Sequence, residues 1–251
     1  MDAKLRLLKE FYGGLPKDRA KVETYEHGFE YLERILASGA TLEYGEMSFA
    51  GLLHKYKFSK VPEEQMDEFI NAHIAKRSNL CLYFGRAENS LFCFNLDNNH
   101  KTNNTVLIPE MTLAVELLRE ILTEAGCEPL VIASGRGYHL WCRLAGAMEN
   151  ERLYQFMVRS MAKALLGLHK KGLDHNKIKA NFYPDPRARN VVSLRLFGSV
   201  HVKNKVFSRV LTRGGLLEEE ESWKAFEEYL SGKTIGLEGF ERAARLVGAP
   251  T

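Results

Sequence analysis

Apolar positions along this chain follow two rhythms. In "PEMTLAVELLREILTEAG" (109–126) and "NERLYQFMVRSMAKALLGLH" (150–169) they recur every three to four residues, which gathers them on one face of a helix. Pro109 suits a first helical turn, Gly126 a C-terminal cap and Asn150 an N-cap. "YEHGFEYLERILASG" (25–39) repeats that spacing through Phe29, Leu32 and Ile35 and stops at Gly39. The first seventy-odd residues therefore read as mostly helical. Shorter apolar runs read as strands: "NLCLYF" (79–84) and "LFCFNLD" (91–97) around a polar turn, "PLVIA" (129–133), "NVVSLRLF" (190–197) and "KVFSRVL" (205–211). After "EEEE" (218–221) the tail returns to helical spacing.

Strands interleaved with helices predict an α/β (α+β) fold with a mixed β-sheet, two helices on one face and the other face free for a ligand. The expected organisation is a helical N-terminal flank (1–75), a core (76–215) and a helical C-terminal tail (216–251), together forming one unit. No repeat, low-complexity tract or apolar run long enough to span a bilayer interrupts it, so no membrane partner is expected and the predicted location is the cytoplasm. The cysteines Cys81, Cys93, Cys127 and Cys142 stand singly, which argues against a zinc ribbon, and the three in apolar runs read as small core residues.

Charge adds a second signal. From Lys170 to Arg213 there are eleven basic residues against two acids, Asp174 and Asp185. That stretch is +9, so a chain of net +3 leaves −6 for the remainder. Such segregation along the sequence predicts a polyanionic partner, with Lys177, Lys179, Arg187, Arg189 and Lys205 as candidate nucleic-acid contacts.

Three stretches carry candidate chemistry. In "FCFNLDNNH" (92–100), Asn95 and Asp97 share one face of a strand and end it with two oxygen donors, the kind that Mg²⁺ or Mn²⁺ takes. In "SGRGYHLW" (134–141), Gly135 and Gly137 suit a hairpin turn or a close backbone approach to phosphates, with Ser134, Arg136 and His139 as donors. In "SLRLFGSVHVKNK" (193–205), Arg195, Ser199, His201 and Lys203 surround Gly198, a set suited to a triphosphate or to a basic hairpin.

The order of these stretches resembles the catalytic core of the archaeo-eukaryotic primase superfamily over residues 79 to 211. "FNLDNNH" corresponds to its first, paired-carboxylate motif, "SGRGYHLW" to its Ser-x-His-type second motif, and "YPDPRARNVVSLRLFGSVHVKN" to its third motif and the basic strand after it. The resemblance implies a core with an RNA-recognition-like part. It also implies a template-dependent nucleotidyltransferase, a primase or primase-polymerase of DNA replication or repair. Such an enzyme would use Mg²⁺ or Mn²⁺ and NTPs or dNTPs on single-stranded DNA or RNA, with replication or repair proteins as partners and a nucleoid-associated location. Asn95, Asp97 and Asp185 would be the catalytic and metal-binding residues. Ser134, Gly135, Arg136, Gly137, His139, Arg195, Ser199, His201 and Lys203 would bind the nucleotide.

The chain also departs from the pattern. Asn95 stands where the family has its first carboxylate, and the third acidic position falls on Asp185, Asn181 or Asp174 depending on alignment. A degenerate member that binds nucleotide or nucleic acid without catalysis is the alternative. A metal-dependent nuclease using Asp97, His100, His139 and His201 is a third reading.

Overall fold

Strand structure reaches further toward the N-terminus than the helical spacing suggested. The computed structural model describes residues 3–13, 15–16, 19–24, 39–48, 53–98, 108–126, 128–188, 193–201 and 205–250. It divides the chain into two units, Met1–Phe84 with Val191–Ser208, and Gly85–Asn190 with Arg209–Thr251. The division does not follow the three expected segments: the core (76–215) is shared between the units, and the C-terminal tail belongs to the second.

The first unit contains α1 (Ala3–Phe11), β1 (Arg19–Thr24), β2 (Thr41–Ser48), β3 (Leu53–Ser59), α2 (Glu63–Ile74), β4 (Ser78–Tyr83) and, late in the chain, β9 (Ser193–Arg195). The five strands form one sheet in the order β2-β3-β1-β4-β9, antiparallel throughout. Alternation explains β1, where Ala20, Val22 and Thr24 are buried, and β3, where Tyr56 and Phe58 are buried. This corrects the mostly helical reading of the N-terminal flank. The helical spacing at 25–38 lies outside the described residues.

The second unit contains β5 (Glu88–Asn98), α3 (Pro109–Glu124), β6 (Leu130–Ala133), β7 (Gly137–Glu149), α4 (Asn150–Lys170), a 3₁₀ turn (His175–Lys177) and β8 (Ile178–Tyr183). It ends with β10 (Arg209–Thr212), β11 (Gly215–Leu216), α5 (Glu219–Ser231) and α6 (Leu237–Val247). Its sheet runs β11-β10-β6-β7-β5-β8, again with antiparallel pairings. The fold is thus α+β with two antiparallel sheets rather than one mixed sheet. The runs at 79–84 and 91–97 fall in different sheets and do not pair with each other.

Phe92, Phe94 and Leu96 of β5, with Tyr138, Leu140 and Cys142 of β7, face a core built with Met111, Leu118, Leu122, Phe156, Met157 and Phe240 from the helices. Each large side chain buried there is worth about 1.5–3 kcal/mol of apolar transfer. The helices at 109–124 and 150–170 share this face, as the spacing predicted. The opposite face is not bare, because Cys93 and Trp141 on it are fully buried.

Two ends of α4 and α5 show local chemistry. Asn150 does not cap α4. Its amide instead donates to the Gly85 carbonyl (2.8 Å) and accepts from Asn89 (2.6 Å), tying the helix start to the loop before β5. The acidic run begins α5 with a capping box between Glu218 and Glu221. Cys81, Cys93 and Cys142 are buried thiols in no disulfide, and Cys127 lies outside the described residues. Among the described residues no helix is long and apolar enough to cross a membrane.

Candidate functional site

Strand register assembles the central group. Asn95 pairs with His139 of β7 on one side and with Asn181 of β8 on the other, and His139 pairs onward with Ile132. The next row along the strands is Gly137, Asp97 and Lys179. Residues directly opposite in antiparallel strands share a face, so Asn95, Asp97, His139, Asn181 and Lys179 lie on one side of the sheet. Leu96, Tyr138 and Ala180 lie on the other, against the helices. Tyr138 is therefore a core residue and not a base-stacking platform.

Among the described residues in the rows from Cys93 to Asp97, this face carries one carboxylate, that of Asp97. In the rows from Cys93 to Asp97 the described strand residues are Cys93, Trp141, Leu130 and Tyr183, then Asn95, His139, Ile132, Val210 and Asn181, then Asp97, Gly137 and Lys179. Among the described residues no three His, Cys, Asp or Glu side chains are grouped as a metal site. Burial pushes the Cys93 thiol well above its ordinary range, which removes it as a thiolate donor. Asn95 is about nine-tenths buried, and its Oδ1 has no hydrogen-bond partner. His139 is buried to the same degree. His100 lies outside the described residues.

The candidates for the third acidic position, Asp185, Asn181 and Asp174, fall at different places in the second unit. β8 runs from Ile178, opposite Asn98, to Tyr183, opposite Cys93. Asp185 follows Tyr183 and so lies past the end of β8 remote from Asp97. There it serves a turn: its Oδ1 accepts from the Arg187 backbone N–H (2.9 Å), with the Arg187 guanidinium 3.5 Å away. Asp174 likewise serves the 3₁₀ turn, accepting from Asn176 N–H at 3.0 Å. Asn181 holds the place beside Asn95.

The "SGRG" stretch is a tight hairpin between β6 and β7. Ser134 N–H donates to the Gly137 carbonyl at 2.8 Å, and its hydroxyl donates to the same oxygen at 3.2 Å. Gly135 has φ 98°, as a turn requires. Gly137 is needed for another reason, since a Cβ there would collide with the Leu96 carbonyl of β5. Its close approach in the sheet is to the neighbouring strand β5. The hairpin leaves Arg136 half exposed with Nη2 3.7 Å from Asp97 Oδ1.

The second glycine loop belongs to the first unit and is held by buried side chains. Tyr12 Oη accepts from Phe197 N–H (3.0 Å), His73 Nε2 bonds the Phe197 carbonyl (2.8 Å), and Ser208 Oγ accepts from Gly198 N–H (2.9 Å). Asn79 closes on Val200 twice, accepting from its N–H (2.9 Å) and donating to its carbonyl (2.7 Å). His73 Nδ1 accepts from Leu80 N–H, which fixes its tautomer with the proton on Nε2. Burial lowers the His73 pKa to about 4, against the opposing pull of backbone bonds to Phe197 and Ser78. Ser199 and His201 are buried in this frame, and Phe197 is a core residue. Lys205 stands at φ 56° and donates its N–H to the His201 carbonyl. Lys203 lies outside the described residues. Sequence reasoning missed Tyr12, His73, Asn79 and Ser208, because no local pattern links them to the loop.

Several expected contacts with a polyanion are already matched by acids. Arg195, on β9 opposite Cys81, has its Nε 3.8 Å from buried Glu23. Lys177 pairs with Glu110 at 2.6 Å, a hydrogen bond that raises the lysine pKa and lowers the carboxyl's. Arg187 pairs with Asp185 and lies 4.2 Å from the Tyr154 ring. Arg209 and Arg213 pair with Glu218 and Glu128. Among the described residues, at least five of the eleven basic residues thus have acidic partners, four of which come from outside the 170–213 stretch. The charge is segregated along the chain but much less so in space. Lys179 is exposed and has no ion-pair partner among the described residues; Arg189 lies outside them. No family model matches the chain, and no curated protein matches its sequence.

Proposed function

We propose that the chain binds a nucleotide on the Asn95–Asp97 face of its six-stranded sheet and does not transfer nucleotidyl groups. This is the degenerate alternative within the primase-like resemblance. The observation that carries it is the row His139, Asn95 and Asn181, which leaves Asp97 as the one carboxylate among the described residues of the rows from Cys93 to Asp97. Nucleotidyl transfer by two divalent ions needs carboxylates to hold both ions and to lower the pKa of the attacking hydroxyl. One aspartate and two neutral amides do not fit that pair of ions. They fit a binding site instead. Arg136 and Lys179 supply positive charge for phosphates, and Asn95 Oδ1 offers a buried acceptor for a sugar hydroxyl or a base amino group.

The basic stretch of the sequence is a weaker basis for nucleic-acid binding, because Lys177, Arg187 and Arg195 already have acidic partners. Equilibrium binding of a labelled nucleoside triphosphate and of a single-stranded oligonucleotide tests the reading. The wild-type chain should bind the triphosphate, and His139→Ala should weaken that binding about tenfold while changing oligonucleotide binding little. A wild-type chain that binds no triphosphate would overturn the proposal.

A further inference from the structure

Charge on the Asp97 row has a consequence for metal dependence. Lys179 is directly opposite Asp97 and shares its face. Arg136 approaches the same carboxylate to 3.7 Å and remains half exposed, leaving guanidinium N–H groups open to a ligand. Two cations therefore face one anion, where a bound divalent ion needs a surplus of anionic oxygen. Immediately behind them Asn95 and Asn181 contribute neutral amides in place of charge.

The buried Oδ1 of Asn95 gives an independent sign of a ligand. A polar atom withdrawn from water without a partner is costly, and a donor from a bound molecule relieves that cost. Asn95 and Asp97 are two residues apart on one strand, so their side chains are about 7 Å apart along it. A single mononucleotide spans that separation, with its phosphate at the cations and its sugar or base at Asn95.

We infer that this face holds nucleotide phosphate without a divalent metal, the charge coming from Lys179 and Arg136. The inference rests on the nucleotide-binding reading above. It narrows that reading to metal-free phosphate recognition, with Lys179 as a phosphate-binding residue.

Calorimetry of the full chain with ATP, in EDTA and in excess Mg²⁺, tests it. Affinity in EDTA should equal or exceed that in Mg²⁺, and Lys179→Ala should weaken binding in EDTA about tenfold. The double variant Asn95→Asp/Asn181→Asp should reverse the order, binding ATP more weakly in EDTA and recovering with Mg²⁺. Wild-type binding that requires Mg²⁺ would overturn the metal-free inference while leaving the nucleotide-binding reading intact. An unchanged affinity in Lys179→Ala, an exposed position that leaves folding undisturbed, would also overturn it. Absence of binding in both buffers would overturn the nucleotide-binding reading and this inference together.

Discussion

The two glycine loops are built on opposite plans. The hairpin at 134–137 closes on itself, through Ser134 N–H and Oγ to the Gly137 carbonyl. The loop at 197–201 is closed by others: Tyr12, His73 and Asn79 reach it from more than a hundred residues away in the chain, and Ser208 from ten. A self-closed turn tolerates loss of a side chain, because its backbone bond persists. A remotely clamped loop does not, since each deleted side chain strands a buried backbone group. Both plans close a loop, but they fail in different ways.

Gly137→Ala should show the largest effect, because it attacks the one non-local demand of the hairpin. The new methyl group meets the Leu96 carbonyl, so β5 and β7 must separate. Denaturant unfolding should show a loss of more than about 3 kcal/mol. A loss below about 1 kcal/mol would mean that the strands adjust freely.

Asn79→Ala should come next. It removes both bonds to Val200 and leaves a buried N–H and C=O without partners, for about 3 kcal/mol. A small loss would place the clamp elsewhere in the loop.

His73 adds a pH signature to the clamped loop. Its pKa falls from 6.5 in the unfolded chain to about 4 when folded, chiefly through burial. Protonation therefore favours unfolding. The stability from neutral His73 is fully present above about pH 6.5 and is lost as pH falls toward 4, by roughly 1 kcal/mol per pH unit. The stability difference between wild type and His73→Gln should therefore shrink by roughly 2 kcal/mol from pH 6.5 to pH 4.5. A pH-independent difference would show that the ring titrates freely in the folded protein.

Ser134→Ala should change stability least, by about 0.5 kcal/mol, because the Ser134 N–H bond still closes the hairpin. A loss matching that of Asn79→Ala would erase the distinction between the two plans.

The same contrast explains what the sequence disclosed. Helices at 109–124 and 150–170, and the strand alternation that puts Asn95 and Asp97 on one face, depend on neighbours in the chain and were legible. So was the turn in "SGRG". The pairing of Asn181 with Asn95 was not, because register between distant strands leaves no local mark; Asp185, nearer the basic strand, looked equally suitable. Chain proximity also hid the acidic partners of the basic stretch, since Lys177, Arg195, Arg209 and Arg213 pair with acids outside it. In the N-terminal flank, long helical spacing masked the short alternations "RAKVET" and "LHKYKFS" that form strands.

The central claim is that one carboxylate makes the Asn95–Asp97 face a binding site and not a catalytic one. Its most direct test is incubation of the wild-type chain with Mn²⁺, labelled nucleoside triphosphates and a primed single-stranded template. Products are resolved by length, with Asp97→Ala run in parallel. The account predicts no primer extension by either protein, under conditions where the wild type binds the triphosphate. Primer lengthening by the wild type that disappears in Asp97→Ala would contradict it.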